Sequence, residues 1–247
     1  MRLPNLLAAI MLSAIANPAP AADGQTVLIT GANRGIGLEY ARQFAAKGYN
    51  VIGTARDPAA ATELRAIIER IEALDVADAA SVAALAKRLD GMAIDILINN
   101  AGVGGRDDND LASIDFEQMQ NTFAVNAFGP LRVIQSLMPN LRLGQRKLVI
   151  GMSSQLGSIE RSNGGMYAYR ASKTALNQFN KILASELGPQ GFVFTVLHPG
   201  WVQTEMGGAN ATLTPQESVR GLVGVIEKLG PDDNGRFYDY QGKTIPW

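Results

Sequence analysis

Beyond Gln25 the chain alternates short β-branched runs with stretches of helical periodicity, and that alternation leaves few architectures open. It is the signature of a parallel sheet whose connecting helices cover both faces. The runs predict strands at residues 26–30, 51–55, 94–99, 147–152, 193–198 and 236–240, with a weaker one at 73–76 between two helical stretches. Seven such strands with intervening helices predict an α/β fold, doubly wound and three layers deep (α/β/α). After residue 167, Leu176, Phe179, Leu183 and Leu187 recur at spacings of three and four, which predicts a helix with one stripe on the sheet, ended by Gly188-Pro189.

The 247 residues, 47% of them hydrophobic, can bury one substantial core, so a single domain over residues 23–247 is expected. Residues 1–22 read as a secretory signal peptide: Arg2 near the start, a short apolar run at 6–16, then small residues and prolines with cleavage near Ala21 or Ala22. Cleavage implies a periplasmic or secreted protein and a misassigned start a cytoplasmic one, and no membrane partner is expected beyond a leader left uncleaved as an anchor. The leader lacks a twin-arginine pair, so an exported chain would have to acquire any nucleotide outside the cytoplasm. A formal charge of -1 and the absence of a long basic run argue against a nucleic-acid partner and for a small molecule. Without cysteine there is no disulfide, thiolate catalysis or cysteine-ligated metal, and the lone His198 cannot build a histidine metal cluster. Catalysis must rest on Ser, Tyr, Lys, Asn or carboxylates.

Directly after the first strand comes Thr30-Gly31-Ala32-Asn33-Arg34-Gly35-Ile36-Gly37, leading into a helix. Three glycines at a strand-to-helix turn let backbone approach a pyrophosphate, and the helix N-terminus supplies free N–H groups. The spacing is G-x-x-x-G-x-G, distinct from G-x-G-x-x-G. An acidic residue closing the second strand would bind the ribose 2′-hydroxyl of NAD and repel a 2′-phosphate. This chain has Ala55 there, followed by Arg56, and with Arg34 in the glycine turn two guanidinium groups could clamp that phosphate. NADP(H) is therefore favoured over NAD(H), although Asp57 could pair with Arg56 or cap the next helix.

Tyr169 and Lys173 lie four apart, on one face of the helix, where an ammonium beside a phenol would lower its pKa and make it an acid or base for a carbonyl. Taken alone the pair is common on surface helices. It gains meaning from the order in which further motifs follow: Asp75-Val76, Asn99-Asn100-Ala101-Gly102, Asn126, Ser153-Ser154, then Pro199-Gly200.

That series resembles the short-chain dehydrogenase/reductase family over nearly all of 25–247, and the segments at 200–208 and 237–247 are similar to its C-factor-like and sniffer-type carbonyl reductases. The resemblance implies a Rossmann-type domain. It makes Tyr169 the general acid or base, Lys173 its electrostatic partner and a ribose ligand, Ser154 the donor to the substrate oxygen, and Asn126 a holder of the water path to Lys173. It places Asp75 at the adenine amino group with Val76 against the ring. Asn100, Ala101 and Gly102 fall at the adenosine ribose, and Pro199, Gly200, Val202 and Thr204 near the nicotinamide. His198 reads as structural and Tyr167 as a pocket wall. Leu156, Met152, Trp201 and Met206 would line an apolar cleft, or else lie in the core.

The leading expectation is an NADPH-dependent reductase of aldehydes or ketones. A cofactor-binding signalling protein of C-factor type and an alcohol dehydrogenase working oxidatively are the alternatives. The family's habits admit a homodimer or homotetramer, and also a monomer.

Overall fold

The computed structural model describes residues 24–104 and 110–247. The expected leader and part of the loop after Gly102 lie outside them. A seven-stranded parallel sheet forms the centre, ordered β3-β2-β1-β4-β5-β6-β7. Its strands are β1 (Thr26–Ile29), β2 (Asn50–Ala55), β3 (Arg70–Ala73), β4 (Ile96–Asn99), β5 (Leu148–Met152), β6 (Val193–His198) and β7 (Arg236–Asp239). Strand order reverses between β1 and β4, so the C-terminal ends of these neighbours border the crevice where such folds take ligands.

Eight α-helices are found among the described residues: α1 (Gly35–Ala46), α2 (Thr62–Arg65), α3 (Ala79–Arg88), α4 (Phe116–Phe123), α5 (Gly129–Ser136), α6 (Met138–Leu143), α7 (Tyr167–Leu187) and α8 (Pro215–Ile226). Alternation along the strands divides the core. Val27, Ile29, Ile96 and Ile98 face α1 and α8 through Phe44, Val219 and Leu222. Leu28, Leu97 and Val149 face the opposite layer, meeting Val82, Leu85, Val133 and Ala184 from α3, α5 and α7.

One expectation needs correction and a second is extended. The third strand lies at Arg70–Ala73, not at 73–76. Its alternation is disguised because Arg70 and Glu72 form an edge ion pair at 3.0 Å, joined by Arg88 at 2.6 Å, while Leu74 and Val76 enter the core from the loop that follows. On α7 the buried positions include Ser172, Lys173, Leu176, Asn177, Asn180 and Ala184, whereas Phe179, Leu183 and Leu187 are half-buried. The stripe does pack on the sheet side, with Leu176 buried and Leu183 and Leu187 against the core, but the same inward face also carries polar residues, Ser172, Lys173 and Asn177, that reach Asn126, the Met152 carbonyl and Ser153.

Candidate active site

The glycine turn is shaped by exclusion. Gly31 and Gly35 have φ of +64° and +56°, a region costly for other residues. A Cβ on Gly37 would fall 2.1 Å from the Gly31 carbonyl oxygen and 2.6 Å from Asn100 Nδ2, so no side chain fits there. The N-cap residue Arg34 makes no side-chain capping bond, and the first turn of α1 holds no acid. Its leading N–H groups and positive helix end are left for a ligand anion. These residues fit a dinucleotide pyrophosphate.

Side chains that sequence reasoning missed hold the turn in place. Thr30 Oγ1 accepts from the N–H groups of Asn100 and Ala101, both at 3.0 Å, and Thr54 Oγ1 accepts from Gly31 N–H at 3.2 Å. Asn100, expected beside a ribose, directs its amide to the carbonyls of Thr30 and Gly31 at 3.0 and 3.1 Å and so ties the β4 turn to the β1 turn. The only sequence signal was a threonine near the C-terminal end of each strand.

Around this turn Asn33, Arg34 and Arg56 are exposed and Ile36 is half-buried. Arg34 meets Glu205 across 2.5 Å. Asp57 accepts from the N–H groups of Ala59 and Ala60 at 2.9 and 3.3 Å, closing a local turn rather than capping a helix. Asp75 accepts from Ala77 N–H at 2.9 Å, while Val76 is buried beneath Gly129 of α5.

The second half of the site is built from buried polar side chains. Ser153 donates to Asn177 Oδ1 at 2.6 Å, and Asn177 in turn donates to the Gly157 carbonyl at 3.1 Å, which ties the β5 turn to α7. Ser154, the next residue, accepts from Leu156 N–H at 3.2 Å and stands close enough to the Tyr169 phenol to lower its pKa. Lys173 Nζ is buried, donates to the Met152 carbonyl at 2.8 Å and lies 5.7 Å from the Tyr169 ring centroid. A Cβ on Gly157 would fall 2.9 Å from Lys173 Cβ, and one on Gly102 would fall 3.5 Å from Lys173 Nζ and 3.3 Å from Asn126 Oδ1. Two glycines therefore bring two backbone segments close to one lysine.

Asn126 is fully buried in a π-helical turn, Ala124–Phe128, between α4 and α5. Its Oδ1 accepts from Val103 N–H at 2.8 Å, and its Nδ2 donates to the Val103 carbonyl at 2.9 Å and to Ser172 Oγ at 3.1 Å. The side chain is committed to these partners, not to Lys173. Four residues on, Pro130 has no N–H to give the Asn126 carbonyl, and this is the sequence signal for the break.

Burial pushes the Tyr169 phenol above its ordinary range, and the Ser154 hydrogen bond pulls it partly back. The expected lowering by Lys173 is not found, because the ammonium lies over the ring and turns to the Met152 carbonyl. Burial lowers Lys173 itself to about 8. His198 is lowered to about 4 by burial, opposed by Asp239, and its Nδ1 has no partner, so it is a neutral structural imidazole at pH 7.

Past β6, Ser218 Oγ donates to the Pro199 carbonyl at 2.6 Å, and Gly200 has φ of +82°. Val202 is buried, bridging to Leu213, and Thr204 Cγ2 would lie 3.3 Å from a Cβ on Gly35. Of the proposed cleft walls, Met152 belongs to the core, where its sulfur accepts from the Tyr40 hydroxyl at 3.3 Å. Leu156 is half-buried, and Trp201, Met206 and Tyr167 are exposed. A surface cleft of about 570 Å³ between α8 and the C-terminal strand shares no residue with this constellation.

The model of the short chain dehydrogenase family matches residues 25–213. The chain belongs to the short-chain dehydrogenase family. As a member it is an oxidoreductase acting on CH–OH or C=O groups and binding NAD(P). It is 49% identical over 155 residues to the C-signal protein of Myxococcus xanthus, covering 62% of this chain and 93% of that one. The NADPH-bound carbonyl reductase from chicken fatty liver superposes with a TM-score of 0.84 at 33% identity, covering 91% and 100% of the two chains. Carbonyl reductase Sniffer of D. melanogaster also gives 0.84, at 32% identity with 90% and 99% covered.

Proposed function

We propose that this short-chain dehydrogenase reduces an aldehyde or ketone with NADPH. The observation that carries the reading is Tyr169 close to both the Ser154 hydroxyl and the buried Lys173 ammonium. The bound dinucleotide would supply hydride to the carbonyl carbon. Ser154 donates a hydrogen bond to the carbonyl oxygen, where negative charge grows. Tyr169, held protonated by burial, gives its phenolic proton to that oxygen. Lys173, still cationic at pH 7, stabilises the phenolate left behind and binds the nicotinamide ribose hydroxyls. The Asn126 carbonyl, lacking an N–H from Pro130, holds the water through which the proton is restored. Exposed Arg34 and Arg56, with Ala55 in place of an acid, support NADPH over NADH.

Replacing Tyr169 with Phe tests this directly. Reduction of model aldehydes with NADPH should fall about 10²- to 10⁴-fold, the usual contribution of a positioned proton donor, while NADPH affinity stays close to the parent's. Parent-like turnover in Tyr169→Phe would overturn the reading. The similarity to C-signal favours a second one, a dinucleotide-binding signalling protein, which is the reading left standing if NADPH binds but no carbonyl is reduced.

A further inference from the structure

The Arg34–Glu205 pair joins the glycine turn to a segment 171 residues away, through charged groups 67% and 76% exposed. Neither end is isolated from its surroundings. Residues 201–208 form a compact turn: Thr204 Oγ1 accepts from Gly207 N–H at 3.1 Å, the Thr204 carbonyl accepts from Gly208 N–H at 2.8 Å, and Trp201 Nε1 donates to the Gly207 carbonyl at 2.9 Å. The turn approaches the glycine loop on one side, where a Cβ on Gly35 would fall 3.3 Å from Thr204 Cγ2. On the other it approaches the β4 loop, where a Cβ on Gly104 would fall 3.2 Å from Met206 Cγ. Glu205 is therefore carried to Arg34 by a strap that spans the proposed dinucleotide groove.

Resting on the reading of an NADPH-dependent enzyme, we infer that Glu205 is a specificity-determining residue that competes with the 2′-phosphate of the dinucleotide for Arg34. A carboxylate and a phosphate monoester offer the guanidinium the same kind of bond, an N–H donated to an anionic oxygen. Both cannot hold the same N–H groups. The phosphate carries the greater charge and displaces Glu205, but it does so against an ion pair already made. NADH brings no 2′-phosphate and leaves the pair intact. Glu205 thus weakens NADPH binding without weakening NADH binding, and moderates a preference that Arg34 creates. Because both groups are exposed, the pair is worth no more than about 1 kcal/mol, which sets the size of the effect at about two- to fivefold in Kd.

Titration calorimetry with NADPH, 2′,5′-ADP and NADH on the parent, Glu205→Gln, Arg34→Gln and the double variant tests the inference. Glu205→Gln should bind NADPH and 2′,5′-ADP about two- to fivefold more tightly, with NADH unchanged, and this gain should vanish when Arg34 is already Gln. Unchanged or weaker binding of 2′,5′-ADP to Glu205→Gln overturns the inference, as does an equal gain for NADPH and NADH, which would place Arg34 at the pyrophosphate. A parent that binds no dinucleotide defeats the functional reading itself, whereas a parent that binds and turns over with no effect of Glu205→Gln defeats this inference alone.

Discussion

The turn after β1 and the turn after β5 stand at the same edge of the sheet and are built on opposite terms. At Gly31, Gly35 and Gly37 the site consists of backbone, and its shape is set by side chains that must be missing. At Ser153, Ser154 and Lys173, with the half-buried Tyr169 beside them, it consists of side chains, and its state is set by which of them carries a proton. The first region should be intolerant of added volume and indifferent to pH. The second should tolerate loss of volume and respond to any change in hydrogen bonding or charge.

The sharpest separation lies within the serine pair. Ser154→Ala should lower kcat/KM for carbonyl reduction about 10²- to 10³-fold, as expected for loss of a donor to a developing oxyanion. Ser153→Ala removes the donor to Asn177 Oδ1 and should instead cost about 1 to 3 kcal/mol of stability, read by denaturant titration, with turnover changed only a few-fold. If Ser153→Ala abolished turnover while Ser154→Ala did not, the two roles would have to be exchanged.

On the other side of the comparison, Gly37→Ala adds one methyl group where the nearest atom is 2.1 Å away, so α1 must move off the Gly31 carbonyl. Dinucleotide affinity should fall about tenfold or more, since the helix N-terminus then misses the phosphates. Gly224→Ala, in α8 with nothing within 4 Å of the new carbon, should leave affinity unchanged and stabilise the fold by about 0.5 kcal/mol. Parent-like NADPH binding by Gly37→Ala would mean that steric exclusion does not shape this turn.

Sequence was a better guide to the region made of backbone than to the region made of side chains. Glycine spacing after a β-branched run announces a positive φ and a close approach, both local properties, and six of seven strands fell within two residues of their predicted ends. The strand that moved, β3, is an edge strand whose polar residues pair with one another, so its pattern looked like helix surface. Ser172, Asn177 and Asn180 were passed over on α7 because polar residues were read as its outer face. Asn126 and Ser153, from other segments, are the partners that explain the burial of Ser172 and Asn177, whereas Asn180 donates to the Leu176 carbonyl of α7 and leaves its Oδ1 unpaired. Glu205 could not have been found at all, since nothing in sequence brings it to Arg34. The direction of the Tyr169 shift was misjudged for a related reason: helical spacing places Lys173 on the same face but does not say where its Nζ turns.

That last point yields a pH dependence of defined sign. Tyr169 stays protonated through the neutral range because burial raises it, so the first group to change as the solution becomes alkaline is Lys173, at about 8. In the proposed reaction the ammonium is present below that value to stabilise the phenolate formed on proton donation; above it the lysine is neutral and the step loses that support. Initial-rate kcat/KM for carbonyl reduction should therefore be level near pH 7 and fall up to tenfold per unit above about pH 8. Lys173→Arg, slower overall, should lose this limb, because a guanidinium keeps its proton throughout the range. The same depression acts on folding with the opposite sense: between about 8 and the ordinary lysine value of 10.5 the unfolded chain holds a proton that the folded one has released, so Lys173 raises stability with rising pH there. A parent profile that stays flat from pH 7 to about 9.5 would remove Lys173 from the proton-transfer step, and the second region would then be defined by shape as the first is.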